Sequence, residues 1–269
     1  MSVDTIAQML AAKYDLIYQN EARGEEPERD SPNIRPEIVQ VEGWPANRYQ
    51  ALVYLVRPGG RLLEIGCGQG DALATLAPHF DQVVGTELSP IRSKRARQRL
   101  AHLSNCHIVN APLEHLAEAV DPPYDCIIWA DVLEHVIDVI GAMHILASLS
   151  HPGTQLVTVT DNIAFLPQRL NLLWGRAPTS AWAACPNEGF TLDPTQTILL
   201  DLGHLHYFTF RQVEILYRLA GFRPERRLGV GKPLGRLRNL WPTLFSGQVC
   251  VSGTYQGTQS SAGVGKYSN

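Results

Sequence analysis

Between about residue 45 and residue 252, short apolar runs alternate with stretches whose apolar residues recur three and four positions apart. The short runs are typical of buried β-strands, and the longer stretches are typical of amphipathic helices. The run at residues 124–130 is almost wholly apolar, as expected for a strand of a parallel sheet that is covered on both faces. This alternation predicts a doubly wound α/β fold with helices on both faces of the sheet.

The individual elements follow from the same periodicities. The predicted strands are residues 62–65, 82–87, 106–109, 124–130, 154–160, 225–230 and 247–252. The predicted helices are residues 4–19, 49–56, 71–76, 90–100, 138–149 and 210–220. Ser89 and Thr209 precede two of these helices, and we expect them to cap the helix N-termini.

Three regions flank or interrupt the predicted domain at residues 45–252. Residues 1–44 hold the first helix and a charged, proline-bearing linker. Residues 161–203 form an insertion with aromatic residues and prolines, which contains one further predicted helix and serves either to grip an acceptor or to pack as a flap. Residues 253–269 are rich in glycine, serine and glutamine, and they are predicted to be a disordered tail.

The first predicted strand of the domain ends in the sequence E-I-G-C-G-Q-G at residues 64–70. Glycines at such a strand-to-helix turn allow the main chain to approach a ligand closely. A dinucleotide fingerprint, G-x-G-x-x-G, would require glycine at position 71, where this chain has Asp71, so a nicotinamide dehydrogenase is disfavoured. The alternative is that Gly66, Gly68 and Gly70 only make a tight turn.

Other strand ends support a nucleotide site. Glu87 ends the next strand, about 20 residues beyond the glycines, where an acid accepts hydrogen bonds from ribose hydroxyls. The strand at 124–130 leads into D-V-L-E-H-V at residues 131–136. Because ligands of doubly wound sheets lie beyond the carboxyl ends of the strands, we expect Gly66, Glu87, Leu113 and Ala130 to converge on one site.

The motifs E-x-G-x-G-x-G and D-V-L-E-H-V together closely resemble those of class I S-adenosylmethionine-dependent methyltransferases that act on small molecules. The resemblance implies a Rossmann-like, seven-stranded sheet with one antiparallel strand, and S-adenosyl-L-methionine as the cofactor. The implied cofactor-binding residues are Glu64, Gly66, Cys67, Gly68, Gly70, Glu87, Leu88, Leu113, Ala130 and Asp131. Pro112 departs from the family pattern, which has an acid for the adenine amino group at this position.

The resemblance also implies methyl transfer to a small-molecule acceptor, and we expect a hydroxyl oxygen. The alternatives are N- or C-methylation on the same fold, and an inactive protein that only binds the cofactor. A hydroxyl acceptor must lose a proton, and His135, His204 and His206 are the candidate bases, although each can equally be structural. No metal site is predicted, because no third ligand with suitable spacing accompanies the histidines.

Composition limits the partners and the compartment. The 269-residue chain has a net charge of −3, so nucleic acid is not an expected partner, and the arginines after Ser89 are assigned to a solvated helix face. No apolar run is long enough for a membrane span, and no secretion signal is visible. Five scattered cysteines without a C-x-x-C pair favour a reducing compartment, so we predict a cytoplasmic protein.

Overall fold

The computed structural model describes residues 5, 8, 9, 11 and 12, followed by 43–176 and 204–257. The five described residues near the N-terminus are helical, in agreement with part of the helix predicted at 4–19. The rest of that helix, the linker, the insertion from residue 177 to 203, and the tail from residue 258 lie outside the described residues. The predictions made for those regions therefore stay predictions.

Within the described ranges, seven strands form one sheet in the order β3-β2-β1-β4-β5-β7-β6. The strands are β1 (Arg61–Ile65), β2 (Gln82–Glu87), β3 (Cys106–Asn110), β4 (Tyr124–Ala130), β5 (Ser150–Asp161), β6 (Phe222–Leu228) and β7 (Gln248–Tyr255). The first five strands pair in parallel, whereas β7 runs antiparallel to both of its neighbours. The predicted Rossmann-like sheet with one antiparallel strand is confirmed.

Helices connect the strands, and among those described the periodicity predicts all except three short helices of four residues each. They are α1 (Arg48–Leu55), α2 (Asp71–Leu76), α3 (Pro90–Arg99), α4 (Leu116–Ala119), α5 (Val139–Ser148), α6 (Leu166–Leu173), α7 (Phe210–Leu219), α8 (Gly235–Arg238) and α9 (Pro242–Phe245). Ser89 caps α3, and Thr209 forms a reciprocal capping box with Gln212 at the start of α7, so both cap predictions are confirmed. Helix α6 is the helix predicted inside the insertion.

The sheet separates two apolar layers, and β4 contributes to both. Ile127 and Trp129 belong to one buried cluster, whereas Cys126 and Ile128 belong to the other. Side chains alternate between the faces of a strand, so a strand in the middle of a covered sheet is apolar at every position. This is why the run at 124–130 carries no polar alternation.

A buried hydrogen-bond chain attaches α7 to the sheet. The Trp129 indole N–H donates to Thr158 Oγ1, which lies 2.9 Å from the Tyr217 hydroxyl. The Tyr217 hydroxyl lies 3.2 Å from the carbonyl oxygen of Leu156 and 3.1 Å from that of Val251. These contacts position α7, and with it the segment that leads into α7 from His204.

The domain extends beyond residue 252, where its C-terminal boundary was predicted. Strand β7 continues through Gly253 to Tyr255, so residues 253–255 are not part of a disordered tail. A Cβ at Gly253 would lie 2.5 Å from the Arg223 carbonyl oxygen and 2.8 Å from Tyr217 Cδ1. The glycine that suggested disorder is there because β6 and α7 approach the strand closely.

This close approach predicts that Gly253→Ala destabilises the protein by about 1–3 kcal/mol, because backbone cannot move away as a side chain can. Gly247→Ala is the matched control at the other end of β7, since a Cβ there meets only Phe165, at an ordinary 3.7 Å. Urea unfolding of both variants provides the measurement. Equal midpoints for the two variants would contradict the packing argument.

Candidate functional site

An open cleft lies beyond the carboxyl ends of the parallel strands, where the strand order reverses between β1 and β4. Its lining comes from four consecutive strand ends, with Arg92 added from α3. The contributing positions are residues 65–66, 86–88, 111–114, 131–132 and 135–137. Of the four residues expected to converge, Gly66, Glu87 and Leu113 are in this lining, whereas Ala130 is not.

The structure divides the predicted cofactor-binding residues into two groups. Residues that line the cleft are Gly66, Glu87, Leu88, Leu113 and Asp131. Residues that are not among its lining are Glu64, Cys67, Gly68, Gly70 and Ala130. The Cys67 side chain, for example, is packed into the core layer that contains Leu73 and Val83.

The glycine turn packs directly against the second sequence motif. Gly66 has φ +68°, and a Cβ at this position would overlap the Cγ2 methyl group of Val132. Gly66 therefore must be glycine both for its backbone conformation and for its contact. The two motifs, separated in sequence, form one wall of the cleft.

Glu87 is held rigidly by the backbone of that turn. Its Oε2 accepts a hydrogen bond of 2.8 Å from the Gly68 amide, and its Oε1 accepts one of 2.8 Å from the Ser89 amide. Burial raises the pKa of the carboxyl group, while the amides and the Arg92 charge oppose that rise. Each oxygen retains a lone pair for a ligand hydroxyl.

Glu64 lies beneath the turn rather than in the lining. Only 5% of its surface is exposed, and its Oε2 has no hydrogen-bond partner among the described residues. Burial, followed by repulsion from Asp71 and Glu87, raises the pKa of Glu64 to about 8, and Arg48 acts in the opposite direction.

Arg48 is a site residue that the sequence did not reveal. It comes from α1 and forms an ion pair with Asp131, a cleft residue 83 positions away in sequence. Asp131 adopts a left-handed conformation with φ +53°, which is uncommon for a residue other than glycine. No spacing rule connects a helix before β1 to a turn after β4, so only the fold could pair them.

A second group of polar residues surrounds the 3₁₀ turn at Leu133–His135. Glu134 is 1% exposed, and its Oε2 accepts a hydrogen bond of 2.8 Å from Thr160 Oγ1. Burial, together with the charges of Asp131 and Asp161, raises the pKa of Glu134 well above its usual range. The motif D-V-L-E-H-V contains Glu134, but the sequence does not indicate this buried environment.

Two of the three candidate histidines meet at this turn. The ring of His135, which lines the cleft, contacts the ring of His204 edge-on at 4.6 Å between centroids. His204 Nδ1 lies 3.6 Å from Asp161 Oδ2. The ring of His206 lies 6.1 Å from that of Phe208, and His206 is not part of the group formed by Glu134, His135 and His204.

Three side chains near this turn have the geometry of a possible ligand group, which spacing along the chain did not indicate. Glu134, His135 and His204 each offer one potential ligand atom, and these atoms lie within 4.8 Å of one another. Glu134 and His135 are adjacent in the chain, whereas His204 reaches them only through the tertiary fold.

Comparisons with known proteins agree with this geometry. A family described as a methyltransferase domain matches residues 42–226, which is more than half of the chain. A ubiquinone biosynthesis O-methyltransferase of Alkalilimnicola ehrlichii is 30% identical over 105 residues, 39% of this chain and 42% of that protein. An uncharacterized methyltransferase of Mycobacterium tuberculosis is 30% identical over 151 residues, 53% of this chain and 70% of that protein.

Solved structures share the fold at low sequence identity. An S-adenosylmethionine-dependent methyltransferase from Clostridium acetobutylicum has a TM-score of 0.53 at 12% identity, over 91% of this chain and 99% of that one. A methyltransferase from Thermotoga maritima, titled a possible histamine N-methyltransferase, has a TM-score of 0.51 at 18% identity, over 77% and 86% of the two chains. At these identities the likeness shows the fold alone.

The sheet order and the cleft at its reversal define a class of Rossmann-like enzymes that bind a nucleoside-containing cofactor. Within that class, this chain belongs to the methyltransferase-domain family, as the sequence motifs led us to expect. The chain spans less than half of the length of the ubiquinone biosynthesis O-methyltransferases that it matches. Among the described residues, no helix has the length and apolar character needed to cross a membrane.

The buried position of Glu64 generates a prediction about pH. The folded state retains a proton that the unfolded state releases, so the free energy of unfolding falls as pH rises from about 5 to about 8. Glu64→Gln removes this proton release, and we expect it to stabilise the cofactor-free protein at the upper pH by at least about 1.4 kcal/mol, the equivalent of one pKa unit.

Urea unfolding at both ends of that pH range measures this effect. The control is Glu118→Gln, because the Glu118 side chain is 86% exposed and its charge is solvated. If Glu64→Gln and the original protein lose stability equally over the range, the buried carboxyl group is not responsible for the pH dependence.

Proposed function

We propose that this methyltransferase methylates a hydroxyl oxygen of a small-molecule acceptor, with the donor in the cleft and the acceptor at the turn of His135. The observation that carries the proposal is the position of His135, which lines the cleft and contacts His204. Imidazole groups at this point suit an acceptor whose proton must leave. The 30% identity to a protein named as an O-methyltransferase agrees with oxygen as the acceptor atom.

The residues of the cleft fit S-adenosylmethionine. Asp131 Oδ1 belongs to a lining residue and Glu64 Oε2 to a residue outside the lining, and both are buried oxygens without hydrogen-bond partners among the described residues. Such groups suit a ligand with an ammonium and a sulfonium charge, and the Glu87 carboxylate suits the ribose hydroxyls. When bound, this cofactor supplies an activated methyl group.

Leu88 and Leu113 line the part of the cleft between β2 and β3, where we assign the adenine ring. Pro112, which replaces the expected acid, lies beside Leu113 in the lining, and it cannot accept a hydrogen bond through its side chain. Apolar contact and the Leu113 backbone therefore carry adenine recognition in this proposal.

The work of the protein is then to place the acceptor and to receive its proton. A methyl group transfers by direct displacement only when the acceptor oxygen is aligned and close, so positioning supplies much of the rate. In this proposal the acceptor hydroxyl approaches the His135–His204 pair, and Asp161, with Oδ2 at 3.6 Å from His204 Nδ1, orients His204. The proton of the hydroxyl group leaves on this side of the cleft.

The donor site predicts that Glu87→Gln weakens S-adenosylmethionine binding about tenfold or more, because a charged hydrogen bond contributes about 1.5–3 kcal/mol. Isothermal titration calorimetry measures the affinity, and NAD serves as the competing cofactor. Glu118→Gln is again the control, and an unfolding midpoint is measured beside each affinity. Unchanged affinity in Glu87→Gln, or preferential binding of NAD, would overturn the assignment of the cleft.

The proposed acceptor chemistry can be tested by offering the enzyme phenols, aliphatic alcohols and amines together with labelled cofactor. We expect methyl ethers as the products. His135→Gln is expected to lower kcat by about 10²–10⁴-fold while cofactor affinity is retained. His151→Gln, beside Asp125 at the amino-terminal ends of β5 and β4, is the matched control. Turnover with amines alone would refute oxygen methylation, and full turnover by His135→Gln would refute the role of this turn.

A further inference from the structure

The corner between the 3₁₀ turn and the segment before α7 concentrates acidic and imidazole groups. Glu134 and His135 lie on the turn, His204 lies opposite, and Asp161 ends β5 beside them. The charged side chains that act most strongly on Glu134 are Asp131 and Asp161, both of the same sign as an ionised glutamate. Carboxyl and imidazole groups gathered in this way offer an environment that attracts a cation.

One buried oxygen in this corner lacks a partner. Glu134 is 1% exposed, and its Oε2 is held by Thr160, but its Oε1 is buried with no hydrogen bond among the described residues. An unpaired carboxyl oxygen in such a place is costly unless a ligand satisfies it. This oxygen therefore marks a position that something outside the described chain should fill.

Backbone hydrogen bonds connect the two segments that carry the three potential donor side chains. The amides of Leu205 and His206 donate hydrogen bonds of 2.8 and 3.2 Å to the Glu134 carbonyl oxygen. These bonds hold the neighbouring His204 against the turn, although about 70 residues separate the two segments. The donors thus belong to two elements attached to each other rather than to a mobile loop.

We propose that Glu134, His135 and His204 bind a divalent transition-metal cation at the acceptor end of the cofactor cleft. Two imidazoles and one carboxylate form a ligand set that suits zinc, manganese, iron or cobalt, and it leaves coordination positions open. Metal ligands about 2.1 Å from an ion lie about 3.4 Å apart in a tetrahedron, so donor atoms within 4.8 Å need only small side-chain rotations.

The surrounding residues complete this arrangement. A carboxylate commonly accepts a hydrogen bond from a ligating histidine, and Asp161 Oδ2 lies 3.6 Å from His204 Nδ1. Thr160 orients the carboxylate of Glu134 in the same way. Asp161 and Thr160 are thus positioning residues, and they follow each other at the end of one strand.

The cation has a chemical role that rests on the proposed function. A metal ion that binds the acceptor oxygen lowers the pKa of its hydroxyl group and aligns it with the methyl donor. The O–H bond breaks with release of the proton to solvent, the new O–CH₃ bond forms, and the S–CH₃ bond of the donor breaks with its electron pair kept by sulfur. His135 and His204 then act as ligands instead of proton acceptors.

Binding of cobalt(II) tests the site directly. The protein, without an affinity tag, is treated with EDTA, dialysed and titrated with Co²⁺, and the visible d–d absorption is recorded; calorimetry with Zn²⁺ repeats the titration. We expect one equivalent to bind, and His204→Gln to weaken binding at least about tenfold. His206→Gln is the matched control, because it alters a neighbouring histidine outside the cluster and should bind the ion as the original protein does.

Two further measurements keep the outcomes distinct. Glu134→Gln should weaken cobalt binding as His204→Gln does, with circular dichroism confirming that each variant is folded and calorimetry confirming that each binds S-adenosylmethionine. Absence of stoichiometric cobalt binding, or equal binding by His204→Gln, overturns the metal site. If the EDTA-treated enzyme still methylates hydroxyl acceptors at full rate, the metal has no catalytic role. The proposal of oxygen methylation is unaffected by that result. A bound ion without hydroxyl methylation refutes the proposed function and leaves the site in place.

Discussion

The contact between Gly66 and Val132 is the constraint on which the cleft depends. It joins the turn after β1 to the turn after β4, and a single added Cβ would separate them. The same glycine turn supplies the Gly68 amide that holds Glu87, so the orientation of the β2 acid depends on the same turn. One close backbone packing therefore aligns three strand ends, which explains why a short glycine-rich sequence organises so much of the chain.

Charge is distributed unevenly along this cleft. On the donor side, Asp71 and Glu87 repel an ionised Glu64, and Arg48 from α1, which pairs with Asp131, offsets part of the repulsion. A cofactor that brings positive charge relieves the remainder. On the acceptor side, Glu134 and Asp161 repel each other, and the proposed cation would play the same part. In both halves of the site, acidic side chains therefore repel one another, and a cationic ligand would reduce that repulsion.

Much of the fold was predictable because its signals are local. The apolar run of β4, the cap at Thr209 and the glycines after β1 each reflect constraints that act within a few residues. The error at Gly253 shows the limit of such signals. Its composition suggested disorder, but the residue is glycine because Arg223 and Tyr217, distant in sequence, leave no room for a side chain.

The sequence by itself predicted the family through the resemblance of its motifs. It also predicted which strand ends would meet, since parallel strands bring their carboxyl ends to one edge. Only the tertiary structure paired Arg48 with Asp131 and brought His204, but not His206, to the turn of Glu134 and His135. The physical reason is that ion pairs and ligand clusters depend on distances across the fold, and no periodicity or spacing along the chain encodes those distances.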